Sequence, residues 1–272
     1  MKIWIITSGP ENLTLFKFLA KYDHEYIVYY DFFHRPYGDK TFDQSLKCVE
    51  KGIDYLTKQK VDCIIVPPVY ELYLAQSSKL EAWSKKILPL FTIYVQQYCF
   101  AHSLVGKIGL FGDFADVEKA QSLLQKLEKS YTLNVHQKTI KKFHSPFVYW
   151  TKEMPLRKYY LTDLSYSNIL VNKIIKFDLR YFKDAMVDTL IPFNYWYFHY
   201  QPTITKFLNL KKIRFHKIEK LEETFVWFNF TTDTTYSVTV AYTGHPDFLK
   251  REKRVLRLLQ RGKSVEIARK QI

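Results

Sequence analysis

Short apolar runs of strand type recur along the chain, each stopped by a turn and followed by a stretch of helical periodicity. That alternation narrows the folds open to it. Lys2-Ile-Trp-Ile-Ile6 shows no polar alternation and is followed by the turn Thr7-Ser8-Gly9-Pro10 and a helix expected from about Glu11 to Lys21. A second run, Tyr26 to Tyr30, ends at Asp31. A loop carrying Pro36-Tyr37-Gly38 then leads to Thr41, which with Gln44 makes a capping box for a helix reaching Gln59. Val61 to Val66 is a short β-branched run that stops at Pro67-Pro68. Continuous apolar runs suit strands buried on both faces, and the strand–helix–strand rhythm predicts right-handed crossovers and a mostly parallel sheet.

The rhythm then repeats. Lys107 to Phe111 reads as a strand, Ala115 to Ser130 as a helix and Thr132 to His136 as another strand. Phe182 to Val187 reads as a helix end, and Asp188-Thr-Leu-Ile191 as a strand stopped by Pro192. Two α/β units follow. In open parallel sheets, ligands collect beyond the carboxyl ends of the strands. The segments that matter for function are therefore Thr7 to Asn12, Pro67 to Glu71, Gly112-Asp113 and Pro192 to His199.

Other classes fall away on composition. The richest apolar stretch, Ile87 to Phe100, is broken by Pro89, Gln96 and Gln97, so no membrane span is expected. The strand-like N-terminal run lacks the plan of a signal peptide, which points to the cytoplasm. Cys48, Cys63 and Cys99 show no CxxC spacing and no adjacent histidine, so reduced thiols are expected and no metal site is read. The net charge of +14 invites a nucleic-acid reading, but 32 of the 41 basic residues are lysine, whereas readers of bases and phosphates lean on arginine forks.

Six segments, in order, resemble the glutamate racemase family. Asp31 followed by Pro36-Tyr37-Gly38-x-Lys40 stands at the spacing of that family's aspartate and PYGxK loop. Ser8-Gly9 and Leu13-Thr14 sit where the family has DSGxGGLT, and Val61-Asp62 with its strand leads into the slot of the ACNTA turn. Ser145-Pro146-Phe147-Val148 is similar to CPxxV, Asp188 to Ile191 leads into the slot of GCTHYP, and Phe228 to Asp233 is similar to the last strand and TGD turn. The resemblance implies an α/β fold of two pseudo-symmetric domains whose mostly parallel sheets face a cleft. Residues 1–98 with 208–246 would form the first domain and 99–207 the second, leaving 247–272 as a basic helical C-terminal tail. It also implies cofactor-free chemistry and admits a homodimer.

The slots where the family keeps its chemistry are changed. Inverting an amino acid at Cα takes one acid/base group on each face of the substrate, and the family resembled uses one thiol from each domain. Here the first cysteine slot is Pro68, which has no side-chain proton, and the second is Asn194, whose amide does not titrate. The aspartate slot is Thr7, the histidine slot Trp196, the two threonine slots Tyr70 and Tyr195, and the asparagine slot Val69. Pro10-Glu11-Asn12 replaces the glycines of GxGG and fills a loop that should approach a ligand closely. Glu71 and His199 are the nearest substitutes as an acid/base pair, although a glutamate opening a helix and a histidine on a helix surface also suit their places. Ser8, Gly9, Tyr37 and Gly38, with Tyr70 and Tyr195, remain as ligand-binding candidates.

The last segment, from about Asp247, is basic. Its spacing reads as two short helices around Gly262, resembling the first part of a LuxR-type helix-turn-helix without a recognition helix. The expectation is therefore a catalytically inactive racemase homologue that binds a small acidic ligand or a protein partner. The alternatives are an isomerase working through noncysteine residues, and a nucleic-acid binder acting through the basic tail.

Overall fold

The structure, a computed structural model, describes residues 2–9, 12–15, 19, 24–77, 83, 86–136, 147–154, 169–209, 213–216, 237–243 and 267–271. The first sheet has five strands in the order β3-β1-β2-β7-β8, and the second has three in the order β5-β4-β6. All the described pairings are parallel. In the first, β1 (Lys2–Thr7) lies between β2 (Glu25–Asp31) and β3 (Cys63–Ile65). On the far side of β2 come β7 (Ser237–Thr243) and β8 (Ile267–Gln271). In the second, β4 (Lys107–Gly112) is central between β5 (Val148–Glu153) and β6 (Thr189–Pro192). The chain thus leaves the first sheet after β3 and returns to it at β7. Ile3, Ile5, Ile6, Val28, Ile64, Ile108 and Leu110 are wholly buried, as parallel strands covered on both faces should be.

Six helices appear among the described residues. They are α1 (Phe42–Thr57), α2 (Pro68–Leu74), α3 (Leu90–Tyr94), α4 (Phe114–His136), α5 (Ile169–Asp184) and α6 (Gln201–Asn209). The α1 capping box forms as its sequence requires. Thr41 Oγ1 accepts from the Gln44 amide at 3.4 Å, and Gln44 Oε1 accepts from the Thr41 amide at 3.0 Å. None of these helices is long and apolar enough to cross a membrane.

Two expectations are corrected. Thr132 to His136 is not a strand but the last part of α4, and the strand beside β4 is β5. Extending a helix already formed costs a β-branched residue well under ~1 kcal/mol, and no glycine or proline stands before His136 to stop it. The tail is not helical at its end, because Ile267–Gln271 pairs along β7. Pairing to a waiting sheet edge outweighs local helical spacing there. The expected helix over Glu11 to Lys21 is described only at a short 3-10 turn, Asn12–Leu15, and at Leu19. Ser145-Pro146, Phe228 to Asp233 and residues 247–266 lie outside the described residues.

Candidate functional site

The carboxyl ends of β1, β2 and β3 put Thr7 to Gly9, Asp31 to Lys40 and Pro67-Pro68 at one edge of the first sheet. Thr7 closes its own turn: its hydroxyl donates to the Gly9 carbonyl, and the Gly9 amide donates back to it at 3.3 Å. Ser8 and Tyr37 are brought together, the Tyr37 amide donating to Ser8 Oγ at 3.4 Å. Gly38 sits in the 3-10 turn Tyr37–Asp39, whose Tyr37 carbonyl accepts from the Lys40 amide and from Ser45 Oγ.

Asp31 is the hub of this edge. Its buried carboxylate accepts from Thr243 Oγ1 at 2.8 Å, from the Tyr37 hydroxyl at 3.0 Å and from the His34 amide at 3.2 Å. The His34 Nδ1 atom lies 3.0 Å from both carboxylate oxygens. These contacts tie the PYG loop to the end of β7. Burial, and then Asp31 itself, push the Tyr37 hydroxyl well above the ordinary phenol range, so it stays a donor.

Pro68, in the first cysteine slot, is the opening residue of α2, where a missing amide hydrogen costs nothing. Val69 and Tyr70 behind it are buried. The Tyr70 ring stacks on Phe42 with centroids 5.5 Å apart and stands edge-on to Tyr37 at 6.3 Å. Burial, then the neighbouring Asp116, hold its hydroxyl far too high to act as a base. Glu71 is buried too, and its carboxylate is already committed. Oε2 accepts from the Phe91 amide at 3.0 Å and Oε1 from the Thr92 amide at 2.7 Å, so it caps the first turn of α3. Burial raises the Glu71 carboxyl to about 7 against the opposing pull of those two amides.

Asn194, in the second cysteine slot, is a structural link. Its Oδ1 accepts from the Asp113 amide at 3.1 Å and its Nδ2 donates to Asp116 Oδ2 at 2.5 Å, joining the end of β6 to the start of α4. Gly112 makes room for it, since a Cβ there would stand 2.9 Å from Phe193 Cβ and 3.2 Å from Asn194 Oδ1. Past Asn194 the chain makes the 3-10 turn Tyr195–Tyr200, which packs on the turn Asn12–Leu15. Tyr195 is buried edge-on to Phe91, with Glu71 near enough to help raise its hydroxyl after burial. Trp196 is wholly buried and stacks on Tyr197, whose hydroxyl donates to the Met154 carbonyl at 2.6 Å. His199 is half-buried, its ring edge-on to Tyr200 at 5.0 Å.

The candidates therefore part ways. Ser8, Tyr37 and Tyr70 gather at one place, Tyr195 packs on Phe91, and Glu71 serves as a cap. Asp116, buried between Asn194 and Tyr70, is a site residue that sequence reasoning missed. Its one signal was an acid in the first turn of a helix. The thiols of Cys63 and Cys99 are held protonated. Burial pushes Cys63 up to about 12, and Cys99 likewise upward.

No family model matches the chain. A glutamate racemase of Leptospira interrogans is 38% identical over 68 residues, a stretch that spans 24% of this chain and only 27% of that protein's length. A glutamate racemase isoform from Bacillus anthracis superposes with a TM-score of 0.71 at 15% identity, covering 98% of this chain and 96% of its own. The Francisella tularensis enzyme, solved in complex with D-glutamate, gives 0.68 at 18% identity, covering 98% and 97%. The Aquifex pyrophilus glutamate racemase gives 0.64 at 22% identity, covering 98% of each chain. The fold is therefore that of the glutamate racemases, and the resemblance seen in the sequence is supported by both kinds of match.

Proposed function

We propose that this chain is a diverged glutamate racemase homologue that no longer racemises and acts through binding, to a small acidic ligand or a protein partner. The observation that carries the reading is the state of the two cysteine slots. Cofactor-free inversion needs a group that gives and takes a proton on each face of Cα. Pro68 offers no proton, and both ends of the Asn194 amide are engaged by Asp113 and Asp116. Around the slots Tyr70, Tyr195 and Trp196 are 1%, 1% and 0% exposed, so aromatic bulk stands where smaller side chains faced a substrate in the family resembled. Substitution at so many linked positions fits a site released from catalysis. A cytoplasmic location is part of the same proposal.

A second reading, an isomerase working through Glu71 and His199, draws on the Glu71 carboxyl standing at about 7, where a general base is effective. Its two amide hydrogen bonds favour the structural role.

The test is proton exchange at Cα. Purified protein at high concentration is mixed with L- and D-glutamate, L- and D-aspartate in D2O, and the Cα signals are followed by NMR over a day. The expected result is no loss beyond a protein-free control. Loss of a Cα signal that heat denaturation abolishes and a mock purification lacks would overturn the noncatalytic reading. If that loss then vanished in Glu71→Gln and His199→Gln, the second reading would take its place.

A further inference from the structure

We propose that Asp31, His34 and Cys48 form a transition-metal site of the zinc type at the end of β2, distinct from the two cysteine slots. A carboxylate oxygen, a ring nitrogen and a sulfur from these residues all lie within 4.8 Å of one another. Carboxylate, imidazole and thiolate are the three donor types that zinc takes from proteins, with bonds of about 2.0–2.3 Å. Tetrahedral bonds of that length set neighbouring donors roughly 3.3–3.8 Å apart. The Asp31 oxygens and His34 Nδ1, at 3.0 Å, are already near that spacing, and closing the sulfur onto them takes a movement of about 1 Å.

The supporting frame has the form a metal site needs. Asp31 ends a central strand of its sheet, and Cys48 lies in the second turn of α1, a helix set by its capping box. Asp31 and Cys48 are buried, while the His34 side chain is 29% exposed, so the cluster meets solvent on its His34 side. Thr243 Oγ1 and the Tyr37 hydroxyl each donate to a different Asp31 oxygen and so fix the carboxylate plane, as outer partners of metal ligands do. Sulfur and nitrogen donors select a thiophilic ion over magnesium or calcium, which ask for oxygen cages. Bound there, an ion would clip the loop after β2 to α1 and hold the Tyr37-Gly38 turn in place.

Cobalt is the probe. The full chain, stripped with a chelator and kept reduced, is titrated with Co2+, and the thiolate-to-cobalt charge-transfer band is followed in the near ultraviolet. One equivalent is expected to give the band, and Zn2+ to displace it. His34→Ala, at a half-buried loop position, should weaken binding by at least the ~10–100-fold that loss of an outer partner alone costs, and Cys48→Ser should abolish the band. A wild-type protein that gives no band overturns the proposal whatever the variants do. So does a band that survives Cys48→Ser, or wild-type affinity in His34→Ala.

Discussion

Glu71 is buried, and the amides of Thr92 and Phe91, with the Thr92 side chain, offset part of the cost of its charge. Its carboxyl rises from 4.5 in the ordinary state to about 7 in the fold, so the folded protein holds a proton that the unfolded chain gives up. The stability this contributes is complete below the unfolded value and is lost as pH rises through the folded one. The loss amounts to at most ~3 kcal/mol for a shift of this size. Urea unfolding at about pH 5 and about pH 8 should show wild-type stability falling between them, and Glu71→Gln should remove most of that fall. Equal slopes in the two proteins would mean that Glu71 is ionised at neutral pH after all. At this scale the sequence was informative wherever a residue's own chemistry decided the matter. Pro68 cannot carry a proton and Asn194 cannot titrate, and both could be read by eye. What stayed hidden depended on distant partners. Asp31 is marked by its motif, yet its role as a hub rests on Thr243, 212 residues away, and the link between Asn194 and Asp116 spans 78.

Elements whose ends are marked by local chemistry were legible in the same way. The capping box of α1, the strand after Asp188 and the runs at β1, β2 and β4 carry their own start and stop signals. The helix through Thr132 to His136 did not, because its β-branched residues suit a strand and only continuity with α4 made them helical. The end of α5 carries a contrary signal. The Val187 amide donates to the Phe182 carbonyl at 3.1 Å and the Met186 amide to the Lys183 carbonyl at 3.0 Å, which is the Schellman pattern. That pattern puts its residue after the helix in the left-handed region, and here the residue is Met186 at φ 54°. A Cβ in that region costs ~1–2 kcal/mol, part of which glycine gives back through its freer unfolded chain. Met186 is exposed, so little packing is lost with its side chain. Met186→Gly should raise the urea midpoint by an amount worth about 0.5–1 kcal/mol with an unchanged slope, and Met186→Ala should leave it near wild type. A lowered midpoint for the glycine variant would show that the Met186 side chain is held by contacts that outweigh its backbone.

At the scale of the whole molecule, the tail decides between a self-contained domain end and an appended module. Two short helices resembling part of a helix-turn-helix would hang from the fold and leave β7 as the sheet edge. Instead Ile267–Gln271 lies along β7, register by register from Val238↔Ile267 to Tyr242↔Gln271, and makes β7 an interior strand. Alternate residues of an interior strand send their amides to opposite neighbours, so two or three β7 amides depend on β8. At ~1 kcal/mol net for each ladder hydrogen bond, deleting residues 264–272 should cost on the order of 2 kcal/mol. The loss should fall on β7, where native-state hydrogen exchange should quicken at alternate amides while β4 in the second sheet keeps its protection. If the deletion leaves β7 exchange unchanged, the tail is an appendage, and the nucleic-acid alternative regains ground. That alternative makes its own demand: binding to a mixed-sequence duplex that falls steeply with salt and disappears when residues after Asp247 are removed. A strand stitched into the sheet surrenders its backbone to β7, and any nucleic-acid contact would then rest on the surface charge of the tail alone.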